Sequence, residues 1–154
     1  MTTSTSEMVE VLNDLIKINY DRIEGYRKAA EESKEFDIAL HPVFRKMADE
    51  SRLNVSALTV HVNALGGEAE SGATTMGKIY HAWMDVKATF TGNDRASILA
   101  ACEYGEDQAQ KAYEKALASD AEIDAETRQL ITSQKASLKE SHDLVKQYRD
   151  VAKQ

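Results

Sequence analysis

Glu103, Glu106 and His142 put two carboxylates and an imidazole on helical seams of this sequence, groups that can bind a metal. Asn19, Ser51, Asn54 and Lys139 fall at comparable levels of the same periodic patterns. Each interrupts, or sits beside, an apolar seam of helical period near its middle. Such interruptions need a reason, because a buried polar group without a partner costs about 1–3 kcal/mol. With antiparallel helices of similar length these levels coincide, which predicts one polar layer across a bundle. The chemistry available to such a layer is metal binding, since carboxylates and an imidazole three residues apart on a helix project from one face and can converge on one ion. The other outcome is a buried hydrogen-bonded network in which Lys139 neutralises a carboxylate. That outcome is the preferred one, because buried charges that persist are paired.

Four helical patterns must position these residues. The first spans about 6–33, with Leu12, Ile16, Asn19, Ile23, Tyr26 and Ala30 alternating at spacings of four and three. The second spans about 42–65, begins at Pro42 and stops at Gly66-Gly67. Its seam is Phe44, Met47, Ser51, Asn54/Val55, Leu58, Val62 and Leu65, and a second apolar line, Leu53, Ala57, Val60 and Ala64, lies off that seam. The third spans about 94–119, capped by Asn93 or Asp94, with Leu99, Cys102, Glu106, Ala109, Tyr113 and Ala116 on its seam. The fourth spans about 124–152, capped by Asp124, with Ile131, Gln134, Leu138, His142, Val145 and Tyr148. Residues 66–93 are too long for a hairpin and read as a crossover. It carries a short helix at about 75–90, whose Trp83 packs on the bundle. The whole is one all-α domain, an antiparallel four-helix bundle with hairpin, long crossover, hairpin connectivity.

Composition narrows the function. The 154 residues carry a formal net charge of −7 and show no basic face, so nucleic acid and anionic membranes are poor partners. One cysteine, Cys102, excludes an intramolecular disulfide and a cysteine-rich metal site, and its seam position predicts a buried, inert thiol. No apolar run approaches the ~20 residues of a membrane span, and no secretory signal is visible at the N-terminus, so the expected location is the cytoplasm. Phosphate loops, nucleophile elbows and Cys-x-x-Cys pairs are missing, and nothing points to hydrolase or transferase chemistry. His41, His61 and His81 are expected in ordinary packing or solvent, while Glu24 and Glu50 should face a flank, bonding to Arg22, Arg52 or a neighbouring helix.

The two halves echo each other at an offset of 87, with Leu12 matching Leu99, Asn19 Glu106, Tyr26 Tyr113 and Ala29 Ala116. In ferritin-like proteins of the rubrerythrin type, the ligands of helices one and three precede a core tyrosine by seven residues. Here those positions are Asn19 before Tyr26 and Glu106 before Tyr113. The resemblance places the two Glu-x-x-His pairs on Ser51-x-x-Asn54 and Lys139-x-x-His142. Of these six positions, Glu106 and His142 keep ligand chemistry. Nearly the whole chain also resembles an uncharacterised bacterial family of ferritin-like four-helix-bundle proteins. The likeness is carried by Arg22-Ile-Glu-Gly-Tyr-Arg-Lys-Ala-Ala, Leu65-Gly-Gly, residues 77–87 around His81-Ala-Trp-Met-Asp, and Cys102-Glu-Tyr-Gly-Glu-Asp.

The resemblance implies a bundle that has lost its di-iron centre and acts without catalysis, through self-association as a homodimer or through a protein partner. By analogy with the superfamily, that role is stress-associated. No cofactor is expected on this reading. The alternative is a metal-binding or redox protein holding one Fe, Mn or Zn ion through Glu103, Glu106 and His142.

Overall fold

The computed structural model describes residues 2–33, 38–71 and 95–152. Four long helices dominate: α1 (Thr3–Ser33), α2 (His41–Ala64), α3 (Arg95–Leu117) and α4 (Ala125–Ala152), with a 3-10 turn at Ile38–Leu40 leading into α2. The short helix expected at 75–90, with Trp83 and His81, and the Asn93/Asp94 cap lie outside the described residues.

Local chemistry sets the ends. Thr2 accepts the Thr5 N–H on its side chain, at 3.1 Å, and starts α1 three residues earlier than periodicity suggests. Pro42 sits in the first turn of α2, where a missing N–H leaves no bond unmade. That helix stops in a Schellman arrangement. Gly66 takes φ +84°, its N–H bonds to Asn63 O, and the Gly67 N–H reaches back to Val62 O, each at 3.0 Å. Gly67 is also a packing site, because an added Cβ would lie 2.7 Å from both Val9 methyls.

Asp124 caps α4, its Oδ1 accepting the Thr127 N–H at 2.8 Å. That bond lowers the Asp124 pKa from its usual 3.8, so the stabilisation is present in full above 3.8 and is lost as pH falls through the lowered folded-state value. Asp124→Ala should cost about 1 kcal/mol at pH 7. In urea titrations the difference from wild type should close at acid pH, and a gap that persists there would assign the loss to something other than the cap.

Cross-helix contacts give the arrangement. Asn13 bonds to Glu68 and Glu70, Asn54 to Asn19, and Tyr26 packs on Phe44, so α2 descends as α1 rises. Contacts of His142 with Asp107 and of Tyr113 with Gln134 make α3 and α4 antiparallel. Helices α1 and α3 pack through Arg22 and Glu106, while α2 and α4 meet mainly through polar side chains: Glu50 with Ser137 and Ser141, and His61 with Thr127. The expected antiparallel four-helix bundle is what forms. Two apolar clusters fill its ends. One is centred on Leu12, Leu15, Ile16, Leu58, Val62 and Ile131, and the other on Tyr26, Phe44, Met47, Leu99, Cys102 and Val145.

The line Leu53, Ala57, Val60 and Ala64 faces outward. Leu53 is 73% and Val60 68% exposed. With Leu130 across the way, Leu53, Ala57 and Val60 edge a shallow groove between α2 and the start of α4. Among the described residues nothing covers this face. No described helix is long and apolar enough to cross a membrane.

Candidate functional site

Between the two apolar clusters the bundle is polar on two successive levels, and each level draws on all four helices. The first is ionic. Arg22 of α1 is 1% exposed, and Glu106 of α3 is fully buried. The Arg22 Nε donates to Glu106 Oε1. Its Nη1 donates to Met47 O at 3.0 Å and to Ser51 Oγ at 2.8 Å, and its Nη2 pairs with Glu50 Oε1 at 2.8 Å. From α4, Ser137 and Ser141 donate to Glu50 at 2.7 and 2.8 Å. The Tyr26 hydroxyl donates to Glu106 Oε1 at 3.0 Å, and the guanidinium lies 5.2 Å from the Tyr26 ring centre.

Electrostatics at this level is a contest between burial and pairing. Burial opposes the charge on Arg22, yet Glu106, Tyr26 and Glu50 together outweigh it and the guanidinium is held more firmly protonated than usual. For Glu106, burial dominates and raises the carboxyl pKa above 4.5, while Arg22 and Tyr26 pull it down. Arginine cannot shed its charge in a protein, so the buried cation requires a carboxylate beside it. The second Glu106 oxygen, Oε2, is buried and accepts no hydrogen bond from the described residues.

The second level, one helical turn away, is neutral. Asn19 Nδ2 donates to Leu15 O at 2.8 Å and to the Tyr113 hydroxyl at 2.9 Å. That hydroxyl donates to Gln134 Oε1 at 2.7 Å. Gln134 Nε2 donates to Asn54 O at 3.4 Å, and Asn54 Nδ2 to Asn19 Oδ1 at 3.2 Å, which closes the ring. Burial raises the Tyr113 pKa, so its proton stays to serve this chain.

The structure brings together Asn19 with Asn54, and Ser51 with Glu106 through Arg22. It does not bring Lys139 into the layer. Lys139 is exposed and pairs with Asp143 one turn along α4, at 3.0 Å. The physical reason is register. The buried line of α4 runs through Ile131, Gln134, Leu138, Ser141 and Val145, so Ser141 takes the inward step that the sequence pattern assigns to His142. Both steps fit a helical period, and the small hydroxyl is the one that packs against Glu50. The cation that neutralises the core carboxylate is therefore Arg22, on α1.

His142 lies instead at the rim between α3 and α4. Its Nε2 is 2.6 Å from Asp107 Oδ1 and its Nδ1 3.1 Å from Asp143 Oδ1. Burial favours the neutral ring, but the bonds to Asp143 and Asp107 prevail and raise its pKa above 6.5. Glu103 stands beside it and makes an ion contact with Arg149. Thus Glu103 and His142 share one cluster with Asp107, whereas Glu106 belongs to the core layer. Cys102 is buried, and burial pushes its thiol pKa well up.

The donor set at the bundle centre does not fit a pair of metal ions. Asn19, Ser51 and Asn54 are already committed to protein partners, Glu106 and Glu50 converge on Arg22, and a guanidinium occupies the space between the carboxylates. Sequence periodicity missed Arg22, although the signal was available. Leu15, Asn19, Arg22, Tyr26 and Ala29 alternate at four and three just as the chosen stripe does, and all five are buried.

A family model described as a domain of unknown function (DUF2383) matches residues 7–119. No curated protein matches the sequence. Among solved structures, a mutant of the Dps1 protein of Mycobacterium smegmatis superposes with a TM-score of 0.84 at 12% identity. The match covers 97% of this chain and 99% of that one. A ferritin-like, diiron-carboxylate protein of Bacillus anthracis superposes with a TM-score of 0.70 at 18% identity, covering 99% of each chain. Both likenesses establish the ferritin-like fold.

Proposed function

This chain belongs to the DUF2383 family of ferritin-like bundles, and from that premise we propose that it is a non-catalytic bundle without a di-iron centre, acting through self-association. The carrying observation is Arg22, which supplies from the chain itself the positive charge that the carboxylates at the bundle centre require. With a guanidinium between them, Glu50 and Glu106 are two carboxylates already engaged by a cation, too few to hold two irons. The reading of one ion on Glu103, Glu106 and His142 gains no support from the geometry, because Glu106 is on a different level and turned to Arg22.

Action then falls to the surface, where Leu53, Ala57 and Val60 form the uncovered apolar line of α2. A second copy fits it by antiparallel pairing of α2 with itself, setting Leu53 against the other copy's Val60. That pairing also carries Arg45, near the start of the helix, towards Glu68 just past its end. Two measurements test the proposal. Elemental analysis of untagged protein expressed with added iron and manganese should find no pair of ions. Two equivalents per chain, lost in Glu106→Gln, would overturn the metal-free centre. Light scattering should find a concentration-dependent dimer. Leu53→Glu/Val60→Glu should weaken that dimer at least about 100-fold, since each buried Leu or Val contributes about 1.5–3 kcal/mol and tenfold corresponds to about 1.4 kcal/mol. A wild type that stays monomeric would remove the self-association half.

A further inference from the structure

We propose that Glu103, Asp107 and His142 form a mononuclear divalent-cation site at the rim between α3 and α4, separate from the bundle centre. Glu103 and Asp107 are four residues apart on α3 and so share one face. His142 reaches them from α4, and one ligand atom from each of the three residues lies within 4.8 Å of the other two. Bonds of about 2.0–2.2 Å to a tetrahedral ion place ligand atoms roughly 3.4 Å apart. Small rotations of three partly exposed side chains close that gap.

Two further features point to a cation. His142 presents Nε2 to the cluster while its Nδ1 is hydrogen-bonded to Asp143, at 3.1 Å. That is the outer carboxylate that fixes the ring orientation and raises the basicity of a metal-binding imidazole. Glu103 Oε2 already holds a cation, the Arg149 guanidinium, and Arg149 is also held by Asp150 at 2.8 Å, so it keeps a partner when an ion takes the carboxylate.

The donor set defines the class of ion. One imidazole nitrogen with two carboxylate oxygens, and no thiolate, suits a borderline divalent ion such as Zn²⁺ or Co²⁺ over a soft monovalent one. Three protein ligands leave a position for water. The two carboxylates balance the charge of the ion, and the ion would tie α3 to α4 where the helices otherwise meet through partly buried ion pairs.

The test is titration of untagged, chelator-treated protein with Co²⁺, read by its visible absorption, and with Zn²⁺, read by calorimetry. One equivalent should bind. Asp107→Asn and His142→Ala should each weaken binding at least tenfold with helix content unchanged, both side chains being at the surface. His61→Ala, which removes the half-buried imidazole of α2, and Glu106→Gln, which alters only the core, should leave affinity within about twofold. Absence of binding by the wild type would overturn the site. So would binding that survives both rim variants, or binding lost with His61. Loss with Glu106→Gln alone would move the ion to the bundle centre, overturning this proposal and the metal-free reading together. Failure at the rim with a metal-free centre leaves the proposed function standing.

Discussion

Arg22→Met is expected to remove about 3–5 kcal/mol of folding stability, because it leaves a fully buried carboxylate without its counter-charge. Glu106 has no route to water, and Tyr26 would be its one remaining donor among the described contacts. Glu50 fares better, being partly exposed and still bonded by Ser137 and Ser141. Ser51 Oγ and Met47 O also lose their donor, though a backbone carbonyl in a helix keeps its helical bond. Methionine replaces the length of the side chain, so little of the loss would come from a cavity. Urea unfolding at neutral pH measures it, as a lower midpoint with an unchanged slope. A loss under 1 kcal/mol would mean that Glu106 is neutral in the native state or that water reaches it, and that Arg22 does not replace a metal's charge.

That Arg22 had to be found in the structure shows where sequence reading reaches its limit. Seams built from apolar residues were legible: their spacing located all four helices, and the Gly66-Gly67 stop and the Asp124 cap appeared where their chemistry requires. That the middle of the bundle is polar was legible too, since Asn19, Ser51, Asn54 and Glu106 are all buried there, although they divide between two levels where one was expected. Which charge closes the layer was not. Arginine in a helical pattern is ordinarily placed on a solvated face, and periodicity alone admits two adjacent stripes on α1, both of which are buried here apart from Ala30 at the end of the first. On α4 the same ambiguity sent His142 inward in place of Ser141. Period fixes a face to within one residue, and a one-residue shift decides whether an imidazole meets Glu106 in the core or Asp107 at the rim. Packing against a specific partner settles it, and that partner lies 35 residues away from His142 in sequence.

The companion result is that Arg22→Met/Glu106→Leu should recover most of what either single change loses, ending within about 1 kcal/mol of wild type or above it. Arg22→Met strands the Glu106 carboxylate outright. Glu106→Leu takes one of two carboxylates from the buried guanidinium, which keeps Glu50, Ser51 and Met47 O, so its cost should be the smaller of the two. The double variant strands neither, and what it gives up besides is the Tyr26 bond to Glu106 and the Arg22 bond to Ser51, each worth about 1 kcal/mol. The coupling between the two sites should therefore exceed the usual 0.3–0.5 kcal/mol scatter of independent changes several-fold. Losses that simply add would show that Arg22 and Glu106 stabilise the bundle separately. If the coupling is found, the same double variant separates core from surface. Its apolar centre removes the ionic level while leaving Leu53, Ala57 and Val60 in place. A dimer retained at wild-type strength would then locate self-association on α2, and a dimer lost would make the buried ion pair a determinant of the shape that α2 presents.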